Sequence, residues 1–143
     1  MIRKHKEQDL EHIINVWYQS STLAHPFLNS AFVEKVKSDM TNLYIPGSET
    51  WVYEIDNSIV GFISMIGNEI GGLFVLPNNQ SKGIGKALIG LIKQDHAQLE
   101  VEVFDKNLNG KGFYEKYGFE LIDRYYHEES ENDVLRLKLT NNK

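Results

Sequence analysis

Gln80-Ser81-Lys82-Gly83-Ile84-Gly85-Lys86 follows an apolar, strand-like run closed by Pro77 and leads into Leu88, Leu91 and Ile92 at helical spacing. The order is strand, glycine turn, helix. The first turn of a helix leaves its N–H groups without intrahelical partners, and the helix dipole adds partial positive charge at the same end. A Gln-x-x-Gly-x-Gly turn in that place is suited to holding phosphate oxygens. Gly83 and Gly85 lack a Cβ, so both permit positive φ and close approach of the backbone to a ligand. Lys82 and Lys86 add charge at the rim. The turn is not a P-loop, because Ala87 stands where a hydroxyl would reach Mg²⁺. It also lacks the third glycine of the dinucleotide-binding spacing.

Upstream, Leu10, Ile13, Ile14 and Trp17 give residues 7–20 the spacing of an amphipathic helix, with a break at Ser20-Ser21-Thr22. His25 precedes Pro26 and is therefore expected in a loop. A second helix is expected over residues 30–43, ended by Pro46-Gly47. From Thr50 the period becomes that of strands: Trp51-Val52-Tyr53-Glu54-Ile55, a turn at Asp56-Asn57-Ser58, then residues 59–66 as the second arm of a hairpin. A further strand over 70–76 carries Gly71-Gly72, which marks a bulge or the close approach of another group. Downstream of the glycine turn come a helix to about residue 97, a strand over 99–104 and a short helix over 107–117 ended by Gly118. Two strands follow, over 119–127 and 134–139.

The resulting order is strand, two helices, three strands, helix, strand, helix, two strands. It describes a mixed α/β fold of about four helices on one mostly antiparallel sheet, with one parallel pair bridged by the helix after the glycine turn.

At 143 residues the chain has the length of a single domain, 1–143, and its 41% apolar and 24% charged residues are ordinary for a folded protein. A formal charge of −5 argues against a general nucleic-acid binder. No apolar run reaches the roughly 18 residues of a membrane span, so no membrane role and a cytoplasmic location are expected. The absence of cysteine excludes disulfides, thiolate metal sites and a cysteine nucleophile. The histidines show no zinc spacing, and no metal is expected.

The second signature is Asn107-Leu108-Asn109-Gly110-Lys111-Gly112-Phe113-Tyr114-Glu115-Lys116-Tyr117-Gly118-Phe119. With the Gln80 turn about 25 residues upstream, it resembles the GNAT superfamily of N-acetyltransferases, closely over residues 50–123. The resemblance implies a GNAT-like mixed sheet whose parallel pair splays apart to receive acetyl-CoA as co-substrate. It implies cofactor contacts from the strand edge Phe74, Val75 and Leu76, from the turn Gln80, Ser81, Lys82, Gly83, Ile84, Gly85 and Lys86, and from Asn107, Phe113 and Tyr114. Gly71-Gly72 would then be the bulge that opens the cleft. The family often has alanine where this chain has Gly110, a departure that weakens the last helix by roughly 1 kcal/mol.

Tyr114 matches the family's general-acid tyrosine, and a phenol with a reference pKa of ~10 keeps its proton at neutral pH. A backbone N–H near Val75 would polarise the acetyl carbonyl. Two residues compete as general base: Glu69, at a strand end where some family members carry one, and His25, whose reference pKa of ~6.5 suits proton transfer. Direct transfer in a ternary complex is expected, since no cysteine can form an acetyl-enzyme. The acceptor is an amine, on a small molecule or a peptide, and the protein is a monomer or homodimer. A CoA-binding sensor without turnover is the alternative. An RNA-binding reading of Lys111-Gly112-Phe113 fails on charge and on its helical setting.

Overall fold

The strand-period segments assemble into one seven-stranded sheet in the order β1-β2-β3-β4-β5-β7-β6. A computed structural model describes residues 1–140. The elements are β1 (Ile2–Lys4), α1 (Leu10–Ala24), α2 (Ser30–Asp39), α3 (Ile45–Gly47), β2 (Glu49–Ile55), β3 (Ser58–Ile66), β4 (Glu69–Val75), α4 (Ile84–Ile92), β5 (Gln98–Phe104), α5 (Leu108–Tyr117), β6 (Glu120–His127) and β7 (Asn132–Thr140). Every neighbouring pair is antiparallel except β4 and β5. The mixed, mostly antiparallel sheet expected from the sequence is the one observed.

Helices cover the sheet on both faces. On one, α1 packs against β3 and β4, burying Ile13, Val16 and Trp17 with Val52 and Phe62. On the other, α4 packs against β2, β3 and β4 through Ile84, Leu88, Ile89 and Ile92. Both sets recur every three to four residues, the spacing that keeps one helix stripe on the core.

Three boundaries differ from the sequence reading. α1 continues through Ser20-Ser21-Thr22 to Ala24. Ser20 Oγ donates to the Val16 carbonyl at 2.6 Å and Thr22 Oγ1 to the Tyr18 carbonyl at 2.8 Å, so these hydroxyls are satisfied inside the helix instead of ending it. α2 runs on through a π-turn at Met40–Tyr44 into α3, where Pro46 occupies a first-turn position that needs no N–H. α4 stops at Ile92, its last buried residue, and a 3₁₀ turn (Lys93–Asp95) follows.

The corner between β1, β2 and α1 is pinned by a buried carboxylate. Asp9 accepts from Arg3 Nη1 at 2.8 Å and Nη2 at 3.1 Å, and from the Lys6 N–H at 2.7 Å. Arg3 also reaches Glu54 at 2.9 Å. The Arg3 guanidinium holds the Asp9 carboxyl down at about 2, against an ordinary 3.8. A depressed folded-state pKa adds stability that is full above the unfolded value and is lost as pH falls through the folded one. Asp9→Asn is therefore expected to cost about 2 kcal/mol at pH 7. That cost should shrink as the pH falls from about 4 towards 2, as urea unfolding of both proteins across that range would register.

Candidate active site

β4 and β5 share only the pairs Glu69↔Glu100 and Ile70↔Val101 before they diverge. The cause is visible on the other side of β4, where Ser64 faces Gly72 and Met65 faces Ile70, leaving Gly71 as a bulge. A bulge bends its strand and increases the local twist. Beyond it, the edge of β4 towards β5 has no neighbouring strand. Leu76 donates its N–H to Val60 of β3 at 2.8 Å, so by strand alternation the N–H and C=O of Val75 face the opposite, open side. Gln80 Nε2 donates to that Val75 carbonyl at 3.0 Å. Gln80 thus ties the glycine turn to the end of β4, while the Val75 N–H points into the gap.

The turn itself takes two left-handed residues, Ser81 (φ +63°) and Gly83 (φ +83°), the latter capping α4. Gly85 is helical, and a Cβ there would crowd α5, standing 3.2 Å from Phe113 Cζ. The missing side chain lets α5 approach the start of α4, so the free first-turn N–H groups lie beside α5. Lys82 and Lys86 have no carboxylate partner among the described residues, whereas Lys111 is paired with Asp105 at 2.8 Å.

Asn107 caps α5 by accepting the Gly110 N–H at Oδ1, 3.0 Å away. With Oδ1 engaged, its Nδ2 faces His25 Nε2 at 3.2 Å. A Cβ on residue 110 would stand 2.5 Å from that Nδ2. A side chain at 110 would therefore force the Asn107 amide to move, a constraint that helix propensity alone does not reveal. At the other end, Gly118 (φ +119°) closes α5 through bonds to Tyr114 and Glu115. Tyr114 is buried, its ring packed edge-on against Phe113 and Phe119 at 5.3 and 5.2 Å. Burial pushes its phenol above the usual tyrosine range, and the hydroxyl has no hydrogen-bond partner among the described residues.

The opposite wall is acidic. Arg136 on β7 gathers Glu100 at 2.7 Å, Glu102 at 3.2 Å and Glu69 at 3.4 Å. Tyr125 donates to Glu102 at 2.9 Å; burial first, then that carboxylate, raise its hydroxyl to about 12. The Glu69 side chain is 41% exposed. His25, the C-cap of α1, lies edge-on to Phe104 and Phe27 at 5.1 and 5.7 Å, and burial lowers it to about 4. The Arg136 network escaped sequence reading, since alternating Glu100 and Glu102 signal a strand but not which strand lies opposite.

One continuous groove of about 1460 Å³ joins the two walls. It exceeds the roughly 300–1,000 Å³ typical of a site for one small ligand. Tyr114, Glu69 and His25 all line it, as do Phe74, Val75, Gln80, Ser81, Gly83, Ile84, Gly85, Lys86, Asn107 and Phe113. Leu76 turns into the core and Lys82 stands outside the lining. Among the described residues no helix is long and apolar enough to cross a membrane.

Residues 46–121 match the family described as "Acetyltransferase (GNAT) domain". The chain is 32% identical to the peptidyl-lysine N-acetyltransferase YiaC of Escherichia coli (strain K12), over 92% of this chain and 90% of that one. Its fold is similar to that of apo YjaB from Escherichia coli in solution (TM-score 0.85, 24% identity, covering 96% and 95% of the two chains). It is similar also to the PaiA N-acetyltransferase of Thermoplasma acidophilum in complex with coenzyme A (TM-score 0.78, 22% identity, covering 97% and 98%). With more than half of its length matched and the strand pair of the sheet opened over a glycine turn, the chain belongs to the GNAT family of acetyltransferases.

Proposed function

We propose that the protein transfers an acetyl group from acetyl-CoA to the side-chain amine of a peptide lysine, by direct attack within a ternary complex. The observation that carries this reading is the open β4 edge running into the free N–H groups of α4. An extended amide chain adds to such an edge as a strand would, and a pyrophosphate suits a helix N-terminus. Among the described residues, unpaired Lys86 beside the turn adds to that fit. The solved relative from Thermoplasma acidophilum holds coenzyme A, and YiaC of Escherichia coli acts on peptidyl-lysine.

The residues that would hold acetyl-CoA are the β4 edge at Phe74 and Val75, the turn residues Gln80, Ser81, Gly83, Ile84, Gly85 and Lys86, and Asn107, Phe113 and Tyr114. Acetyl-CoA supplies the thioester as acyl donor. The groove is polar in opposite senses at its two ends, with Lys86 and the α4 N-terminus at one and Glu69 and Glu102 at the other. Phosphates suit the first and a cationic lysine the second. Glu69 takes a proton from the acceptor ammonium, directly or through a water, so that the nitrogen can form the new bond to carbon. The Val75 N–H donates to the carbonyl oxygen as it gains negative charge. Tyr114 gives its phenolic proton to the departing thiolate. Burial keeps that proton on the phenol at neutral pH, and the same apolar surroundings raise the basicity of a thiolate beside it.

Isothermal titration with acetyl-CoA, with ATP and NAD as controls, tests the cofactor first. Selective 1:1 binding is expected, and a folded sample that ignores acetyl-CoA would overturn the reading. Tyr114→Phe should lower turnover on a lysine peptide at least ~10-fold with acetyl-CoA affinity nearly unchanged, the split expected of a group that acts in the transition state. Glu69→Gln should likewise reduce turnover while leaving the titration with acetyl-CoA intact; equal loss of affinity would point to a role in holding the cleft instead.

A further inference from the structure

His25 and Asn107 are 82 residues apart in the chain and meet across the groove, one at the end of α1 and the other at the start of α5. The geometry determines who donates. Asn107 Oδ1 is occupied by the Gly110 N–H, so Nδ2 presents its hydrogens to His25, and Nε2 of the ring must be the acceptor. The other nitrogen then carries the proton, and Nδ1 donates to Ser21 Oγ at 2.9 Å, one helical turn back on α1. Phe104 and Phe27 hold the ring edge-on, which fixes its plane. Burial keeps the imidazole neutral at physiological pH, preserving the lone pair on Nε2. With both nitrogens engaged, His25 is poorly placed to take a proton from an acceptor amine.

We propose that His25 is a positioning residue for the acetyl-CoA site, holding the Asn107 amide in the orientation that presents its remaining N–H to the cofactor, with Gly110 leaving the space this orientation needs. The inference rests on the acetyl-CoA reading above. It gives a single reason for three sequence features: a histidine at the end of α1, an asparagine at the cap of α5, and a glycine three residues after that cap. Without His25, Nδ2 would have no fixed partner among the described residues, and the amide would be held by the Gly110 N–H alone. An alanine at 110 would displace it sterically, since its Cβ would be 2.5 Å from Nδ2.

Two substitutions separate the acceptor atom from the ring. His25→Phe keeps the aromatic contacts with Phe104 and Phe27 and removes the acceptor, whereas His25→Gln keeps an acceptor at the end of a side chain of similar reach and removes the ring. Titration with acetyl-CoA should show binding weakened roughly three- to tenfold in His25→Phe, the worth of one neutral hydrogen bond, and at least half of that loss recovered in His25→Gln. KM for acetyl-CoA should follow the affinity, and KM for the lysine peptide should not. Gly110→Ala should weaken acetyl-CoA binding although alanine favours the helix and melting does not fall; His25→Phe should add little in that background, because interacting residues are not additive. Wild-type affinity in folded His25→Phe would overturn the inference, as would His25→Gln binding no better than His25→Phe. Wild-type protein that fails to bind acetyl-CoA would remove the acetyl-CoA reading and this inference with it, whereas a binding wild type with an indifferent His25→Phe removes the inference alone.

Discussion

The separation of β4 from β5 after two residue pairs governs the rest of this molecule. A sheet of seven strands would otherwise present no backbone to a ligand except at its outer edges. Gly71 supplies the bend, and the gap that follows leaves a row of strand N–H and C=O groups unpaired in the middle of the fold. Buried backbone groups without partners are costly. They persist here because they face a groove, where water or an extended ligand can satisfy them. The Val75 carbonyl is the exception that fits the rule, being taken by Gln80 at 3.0 Å.

A sheet opened in this way is weak at its seam, and the helices on both faces compensate. On one face α4 spans β2, β3 and β4, while Phe113 of α5 comes close enough to Gly85 to be crowded by a Cβ there. On the other face the connection after α1 and the helix α2 reach across to the β5 side: His25 to Asn107, Phe27 to Phe104, and Phe32 to His127, with the Lys35–Glu129 ion pair at the rim. The same residues that border the groove therefore hold its walls together. Stability and ligand binding meet in one set of contacts, which is why Asn107 serves at once as helix cap, partner of His25 and lining residue.

Charge is distributed along the groove and not over the surface as a whole. The net charge of −5 says little about either end. At the α4 end, backbone dipoles and Lys86 favour an anion. At the β7 end, three carboxylates converge on the single guanidinium of Arg136, so the wall remains acidic after pairing. Such local opposition matters more to a charged ligand than the total, because screening in salt suppresses interactions beyond roughly 10 Å.

Sequence alone determined what depends on neighbours along the chain. The glycine turn between strand and helix, the hairpin period from Thr50, the bulge glycines and the Asn107 cap are each specified by a few adjacent residues, and their chemistry was readable in order. The family resemblance, built on Gln80 to Lys86 and Asn107 to Phe119, carried the splayed strand pair with it. The continuity of α1 through Ser20-Ser21-Thr22 is not legible in the sequence, because hydroxyls that usually favour a break are satisfied by backbone carbonyls one turn earlier. What only the tertiary structure decided is which distant groups meet: Arg136 with Glu69, His25 with Asn107, Phe113 with Gly85. Hydrophobic periodicity fixes which face a residue occupies but is silent on register and on which element lies opposite, and those long-range contacts follow from packing the whole chain into one core.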